Sequence, residues 1–225
     1  LPHIFLQRAL LVLSLALPAI AFGQPTLDEL ARDVDRAESM RAVKNLQRTY
    51  AQYSQYGLWN EMADLFAEDG TYIFDDESIN GRAAIAAHLT TFEGGGQQGM
   101  PGGAVHAEII DHPVVNLSVD GESARGRWYG FAFLSDSQGN ASNLGGVLEN
   151  EYVRRGGKWL IKVHRFYPQY AGPAETGWNN YAGRDLAILP YHFTPDESGI
   201  PVPEPVGEAP RSRASLDSLE ERIAV

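Results

Sequence analysis

No cysteine occurs among the 225 residues, which excludes disulfides, thiolate zinc sites, iron–sulfur clusters and a cysteine nucleophile. Positive charge is scarce, with 18 Lys+Arg against 29 Asp+Glu and a formal net charge of −11. So acidic a chain lacks the basic patches that nucleic acid or an anionic membrane surface requires, leaving a small molecule as the expected partner. Long apolar runs are missing with one exception, Ala9 to Phe22, which follows Arg8 and ends at Gly23-Gln24-Pro25. That run is shorter than the ~20 residues that span a bilayer. A basic start, a short apolar centre and small residues before Gln24 describe a secretory signal peptide, with Ala19-x-Ala21 and Ala21-x-Gly23 both acceptable cleavage frames. The expectation is a leader over 1–23. The mature chain would be exported, to a bacterial periplasm or to the medium, without stable membrane insertion after cleavage.

The rest of the composition is ordinary, 44% hydrophobic and 21% charged, and fits one domain of roughly 150 residues with extensions. Thr26-x-x-Glu29 is a capping box that opens a helix. Ser39 restarts the helical pattern, and Val43, Leu46, Tyr50 and Tyr53 continue it to a stop at Gly57. A short helix with Trp59, Met62, Leu65 and Phe66 on one side follows, then a strand Thr71–Phe74 and a helix capped by Asn80 that runs through Ile85 and Leu89. From about Ala104 the pattern changes to strands over 104–119, 123–134, 143–155 and 158–170, separated by Asp-Gly, Gln-Gly and Gly-Gly turns. Gly126, Gly130, Gly145 and Gly146 interrupt those strands, which marks bulges or sharp curvature. Helices first and a curved meander afterwards define an α+β domain. Its N-terminal helices pack on a strongly curved, mostly antiparallel sheet, and the sheet wraps into a cone with an open mouth. That domain is expected over 24–194. Residues 195–225 read as a Pro/Glu-rich tail, in which Leu216, Leu219 and Ile223 suggest one short helix.

Several chemical signals fail on context. Gly94-Gly-Gly96-Gln-Gln-Gly99 matches the dinucleotide pattern but follows a helix and leads toward a strand, the reverse of the required order. A mobile flap over the cavity is the better reading of Gly94–Gly103. The histidines show no zinc spacing, and no GxSxG elbow is present.

The order of elements and four motifs carry a resemblance. They are Tyr50…Gly57-Leu-Trp-Asn-Glu61…Leu65-Phe-Ala-Glu-Asp-Gly70, Asn80-Gly-Arg82…Ile85, Gly126-Arg-Trp-Tyr129, and Gly145-Gly-x-x-x-Asn150-Glu-Tyr-x-Arg-Arg155-x-Gly-x-Trp159. Over roughly residues 38–170 the chain resembles the SnoaL-like branch of the nuclear transport factor 2-like superfamily. The third motif is similar to bile-acid dehydratases and the fourth to hexachlorocyclohexane dehydrochlorinases. The resemblance implies a cone-shaped α+β fold, no cofactor, and dimers or trimers. The superfamily holds dehydratases, isomerases, cyclases, hydrolases and non-catalytic binders.

By resemblance His106 is the general base, and Tyr50 matches a catalytic tyrosine of the dehydratases. Imidazole accepts and returns protons near neutral pH, and a phenol can hydrogen-bond an oxygen that develops charge. Gln55 and Ala132 stand where relatives carry an aspartate, so the usual His–Asp dyad is absent as written. Substitute acids are Asp111, Glu149, Glu151, Asp75 and Asp76. Glu149 and Glu151 share one strand face, as do His106 and Glu108. Relatives place a cation on the last strand, which points to Arg165, with His164 the neighbouring register. Trp159, Arg165 and Tyr167 alternate onto one face and suit an aromatic pocket with an anion-binding head. Tyr53, Gln55, Phe74, Trp128, Glu149 and Tyr167 complete the expected substrate-binding set, with no metal.

These residues point to an exported, cofactor-independent lyase acting on a hydroxylated aromatic or polycyclic molecule, as part of aromatic compound catabolism. Dehydration is the simplest version, and a deformylating carbon–carbon cleavage is a variant. An isomerase using the same proton relay and a non-catalytic binding protein of the same fold are the alternatives.

Overall fold

The computed structural model describes residues 25–177 together with Asn179 and Asn180. The leader expected over 1–23, the tail expected over 195–225 and the last part of the domain expected over 24–194 lie outside the described residues.

Helix α1 is Leu27–Tyr56. Thr26 opens it with the expected capping box, its side chain accepting from the Glu29 N–H while Glu29 accepts from the Thr26 backbone N–H at 2.8 Å. Ser39 does not restart a helix; it lies buried within one continuous helix. Val43, Gln47, Tyr50, Ala51 and Ser54 form its buried stripe at helical spacing. Gly57 closes α1 at φ +65°, and a Cβ there would approach the Gly99 carbonyl carbon to 2.6 Å, so both conformation and space demand glycine.

Helix α2 is Trp59–Asp64, and strand β1 is Phe66–Phe74, so Phe66 begins a strand instead of ending a helix. Strand β2 is Glu77–Asn80 and helix α3 is Arg82–His88. Asn80 is not the helix cap. Its Oδ1 accepts from Thr71 Oγ1 at 3.0 Å across the β1–β2 pair, and Gly81 takes the cap position without a side-chain hydrogen bond. Arg82 Nε instead donates to the Phe66 carbonyl at 2.8 Å, tying the start of α3 to β1. A π-turn, Leu89–Glu93, widens the helix end, with the Gly94 N–H reaching back five residues to the Leu89 carbonyl.

Strands β3 (Val105–Leu117), β4 (Ser123–Ser135), β5 (Ala141–Arg155) and β6 (Lys158–Pro173) form the expected meander, and β7 (Asn179–Asn180) pairs with β6. The sheet order is β2-β1-β6-β5-β4-β3. Only the β1–β6 pairing is parallel, so the sheet is mixed. Register shifts interrupt β3–β4 between Asp111 and Val114, and β5–β6 at Gly145/Gly146 and at Glu151/Tyr152. Bulges of this kind deepen the twist and curl the sheet.

The helices cover the inner face. Beneath them lie Trp59, Phe66, Trp128, Leu148, Tyr152 and Ile161, all essentially without solvent contact. Gln47 on α1 bolts the helix to the sheet, its Oε1 accepting from Asn150 Nδ2 and Tyr152 Oη, both at 2.8 Å. Trp128 Nε1 donates to the same Tyr152 oxygen at 3.0 Å.

Candidate active site

Between α1, α2, the π-turn and the inner face of the sheet lies a cavity of about 70 Å³. Six polar side chains face it: Tyr50 from α1, Tyr72 from β1, Glu93 from the π-turn, His106 and Glu108 from β3, and His164 from β6. Among the described residues no lysine or arginine lines it. Exposure grades along its depth. Glu93 is open to solvent, His106 and Glu108 are half-buried, and Tyr50, Tyr72 and His164 are buried. Acids and His106 therefore stand at the mouth, with two phenols and an imidazole at the floor.

The floor is a stack. The His164 ring lies between Tyr50, with centroids 4.6 Å apart at 23°, and Tyr72, at 5.1 Å and 6°. Tyr50 Oη is 3.4 Å from His164 Nε2, while His164 Nδ1 is buried without a hydrogen-bond partner. Burial depresses the imidazole to about 3, so His164 is neutral at any physiological pH. Both tyrosines are pushed up by desolvation first, Tyr50 next by Tyr72 and then Glu108 and Glu93, and Tyr72 next by Glu93 and Glu108.

At the mouth, Trp59 meets His106 edge-on at 5.9 Å, and burial lowers His106 to about 4. Glu108 is pushed up to about 7 by desolvation, and Glu93 adds to the shift, against the bond that Ser54 Oγ donates to Glu108 Oε2 at 2.9 Å. Desolvation also raises Glu93. Near neutral pH the site thus holds an unprotonated imidazole and a carboxyl that is about half protonated.

Of the expected site residues, His106, Tyr50 and Phe74 come together around this cavity. Arg165 does not. It lies on the outer face with Tyr167, its guanidinium carbon 5.7 Å from the Tyr167 ring centre, beside Arg125, Glu149 and Glu151. Strict alternation from Trp159 puts Arg165 inward, but Val163 pairs with Glu151 while Ile161 pairs with Tyr152. Lys162 is therefore an extra residue, and every later side chain changes face. His164 takes the inward place, and Trp159 is separated from Arg165 and Tyr167, buried in the core. The anion-binding head expected of the pocket is thereby absent.

Glu149 pairs with Arg127 on the outer face. Trp128 is sealed in the core and serves the Gln47–Tyr152 network. Tyr53 packs half-buried against that core. Gln55 is exposed; its neighbour Ser54 is the buried residue that touches the site acid. None of the acids Asp75, Asp76, Asp111, Glu149 and Glu151 lines the cavity. Glu108 does, and its shared strand face with His106 was the legible signal. His164 is the neighbouring register weighed against Arg165, whereas Glu93 and Tyr72 were not expected as site residues. Glu93 depends on the π-turn, for which no residue pattern stands out. Among the described residues no three His, Asp or Glu side chains cluster as a metal site would require.

The segment expected as a mobile flap is anchored: the Gly99 N–H donates to the Gly57 carbonyl at 2.9 Å, and Gln98 Oε1 accepts from the Trp59 N–H at 3.0 Å.

The fold and the cavity define a cone-shaped α+β domain with a chamber between its helices and its sheet. The chain belongs to the SnoaL-like domain family, which it matches over residues 35–165. Among solved structures it is similar to a putative scytalone dehydratase from Novosphingobium aromaticivorans, with 19% identity, TM-score 0.56, and coverage of 68% of this chain and 98% of that one. A type 2 hexachlorocyclohexane dehydrochlorinase (LinA) matches at 15% identity and TM-score 0.55, covering 63% of this chain and 92% of the other. An NTF2-like protein with a cystatin-like fold, also from Novosphingobium aromaticivorans, matches at 21% identity and TM-score 0.49, over 64% and 90% of the two chains. No curated protein matches the sequence. At these identities the likeness to the first two structures establishes the fold alone.

Proposed function

We propose that the protein is a cofactor-independent lyase that eliminates water, or carries out a related elimination, from a hydroxylated aromatic molecule. The observation that carries this reading is the pairing, on one strand face, of an uncharged His106 with a Glu108 carboxyl that stays partly protonated at neutral pH. His106 accepts the proton from carbon. Glu108 gives its proton to the departing hydroxyl, which leaves as water, and the resulting imidazolium and carboxylate reset by exchanging a proton. Glu108 thereby stands in for the aspartate missing at Gln55 and Ala132. The membership of a dehydratase-like and a dehydrochlorinase-like structure among the neighbours supports the reaction class. A cavity of about 70 Å³ holds on the order of five waters, at about 10–15 Å³ each, and so suits one ring better than a polycyclic skeleton.

The same reading takes the protein as exported and self-associating. The exposed, apolar Ile109, Tyr129 and Phe133 on the outer face support the latter.

The test is turnover of hydroxylated aromatics in chelator-treated buffer, followed by new conjugation in the product. His106→Ala is expected to reduce kcat by roughly 10²–10⁴-fold while ligand still raises the Tm. Equal behaviour of variant and parent, with ligand binding and no product from either, would favour the non-catalytic binder.

A further inference from the structure

The elimination chemistry occupies the mouth of the cavity and leaves the floor without a task. Three observations meet there. His164 is only 3% exposed, yet its Nδ1 has no hydrogen-bond partner among the described residues, and a buried polar atom left unpaired is costly. Its ring is clamped between Tyr50 and Tyr72 at 4.6 and 5.1 Å, so it cannot swing out to find water. The surrounding walls are aromatic, with Trp59, Phe74 and Phe166 lining the same cavity.

A cavity with one polar pole at its mouth, a second at its floor and aromatic walls between them fits a flat ring carrying a polar group at each end. The charge of those groups follows from the lining. Among the described residues the cavity presents two carboxyls, two neutral imidazoles and two phenols, and no cation. An anionic group on the ligand would meet the Glu93 and Glu108 carboxyls with no counter-charge among those residues. A hydroxyl at the floor would instead satisfy the orphan imidazole nitrogen, as donor or acceptor according to the tautomer.

We propose that the floor is a recognition site for a neutral phenolic hydroxyl, read by His164 between Tyr50 and Tyr72, and that the substrate is an uncharged phenol whose departing hydroxyl lies at the His106–Glu108 mouth. His164 is then the specificity-determining residue for the ring's far end. The proposal rests on the same cavity being the substrate site, but it concerns binding and not bond cleavage. Sites built to pair a ligand hydroxyl reject the analogue that lacks it far more strongly than apolar pockets reject a change of size.

Calorimetry on the parent protein at pH 7 separates the two. The probes are 4-(1-hydroxyethyl)phenol, whose methyl carbon carries the proton an elimination would remove, its phenolic methyl ether, and 4-hydroxybenzoate, in which a carboxylate replaces the alcohol side chain. The phenol is expected to bind at least tenfold more tightly than the ether, and the carboxylate at least tenfold more weakly than the phenol. His164→Phe should abolish the preference for phenol over ether, and Tyr50→Phe, which keeps the stack, should reduce it; a retained Tm for each variant shows that it is folded. Equal affinity of the parent for phenol and ether, or a preference that survives His164→Phe, overturns the proposal, as does tight binding of the carboxylate. Phenol selectivity without any turnover would leave this inference standing and remove the lyase reading.

Discussion

At the residue scale, two neighbours on β3 carry opposite shifts: burial holds His106 down to about 4 and Glu108 up to about 7. Since the reaction needs the base unprotonated and the acid protonated, kcat/KM should be level between those values, falling as pH drops toward 4 and as it rises through 7. A pH–rate profile of Glu108→Gln should lose the alkaline limb along with most of the activity, because the amide has no proton to surrender at any pH. His106 could be found from the sequence because a family resemblance points to its place. Glu108 could be placed on the same face by alternation, but its burial comes from contacts with the π-turn and with Ser54, both earlier in the chain, Ser54 by 54 residues.

At the element scale, the bolt between α1 and the sheet is the Gln47–Asn150–Tyr152–Trp128 network. Tyr152→Phe removes one hydroxyl and leaves the buried Trp128 Nε1 without its acceptor, so the unfolding free energy should drop by about 1–3 kcal/mol in urea titration. The cavity lining is untouched, and the fluorescence of a bound aromatic should be unchanged. Elements of this kind were largely legible: the capping box, the Gly57 stop and the four long strands all stand within a few residues of their expected limits. What was not legible is parity. Nothing around Lys162 distinguishes a bulge from regular strand, since the residues on both sides alternate acceptably in either register. The bulge is imposed by the partners: β5 must match β6 through Glu151 and Tyr152 while Asn150 Oδ1 accepts the Arg165 N–H at 3.1 Å. Asn150 in the fourth motif is thus a bracket for that distortion.

At the scale of the whole molecule, the buried groups of the cavity link stability to pH. His106 and His164 have folded values near 4 and near 3, below their ordinary 6.5. The stability they carry is therefore complete above 6.5 and is lost as pH falls through those folded values. Glu108 acts the other way, its folded value of about 7 lying above the ordinary 4.5, so protonation between those limits favours the fold. The two histidines, with the larger shifts, outweigh Glu108 and the lesser contribution of the raised Glu93, and the urea midpoint should decline from pH 7 to pH 5. In Glu108→Gln the larger opposing contribution is gone, and the decline should be steeper than in the parent.

The bulge at Lys162 also bears on how this scaffold could change its chemistry. Were Lys162 drawn into regular alternation and the bulge lost, the remainder of β6 would shift by one step. A guanidinium would then stand where the imidazole now stacks, and His164 would face outward. An acid-lined chamber for uncharged guests would become one with a built-in counter-ion for carboxylates. Gain or loss of one bulge, with no side chain exchanged, is thus a route by which domains of this architecture can diverge in what they accept.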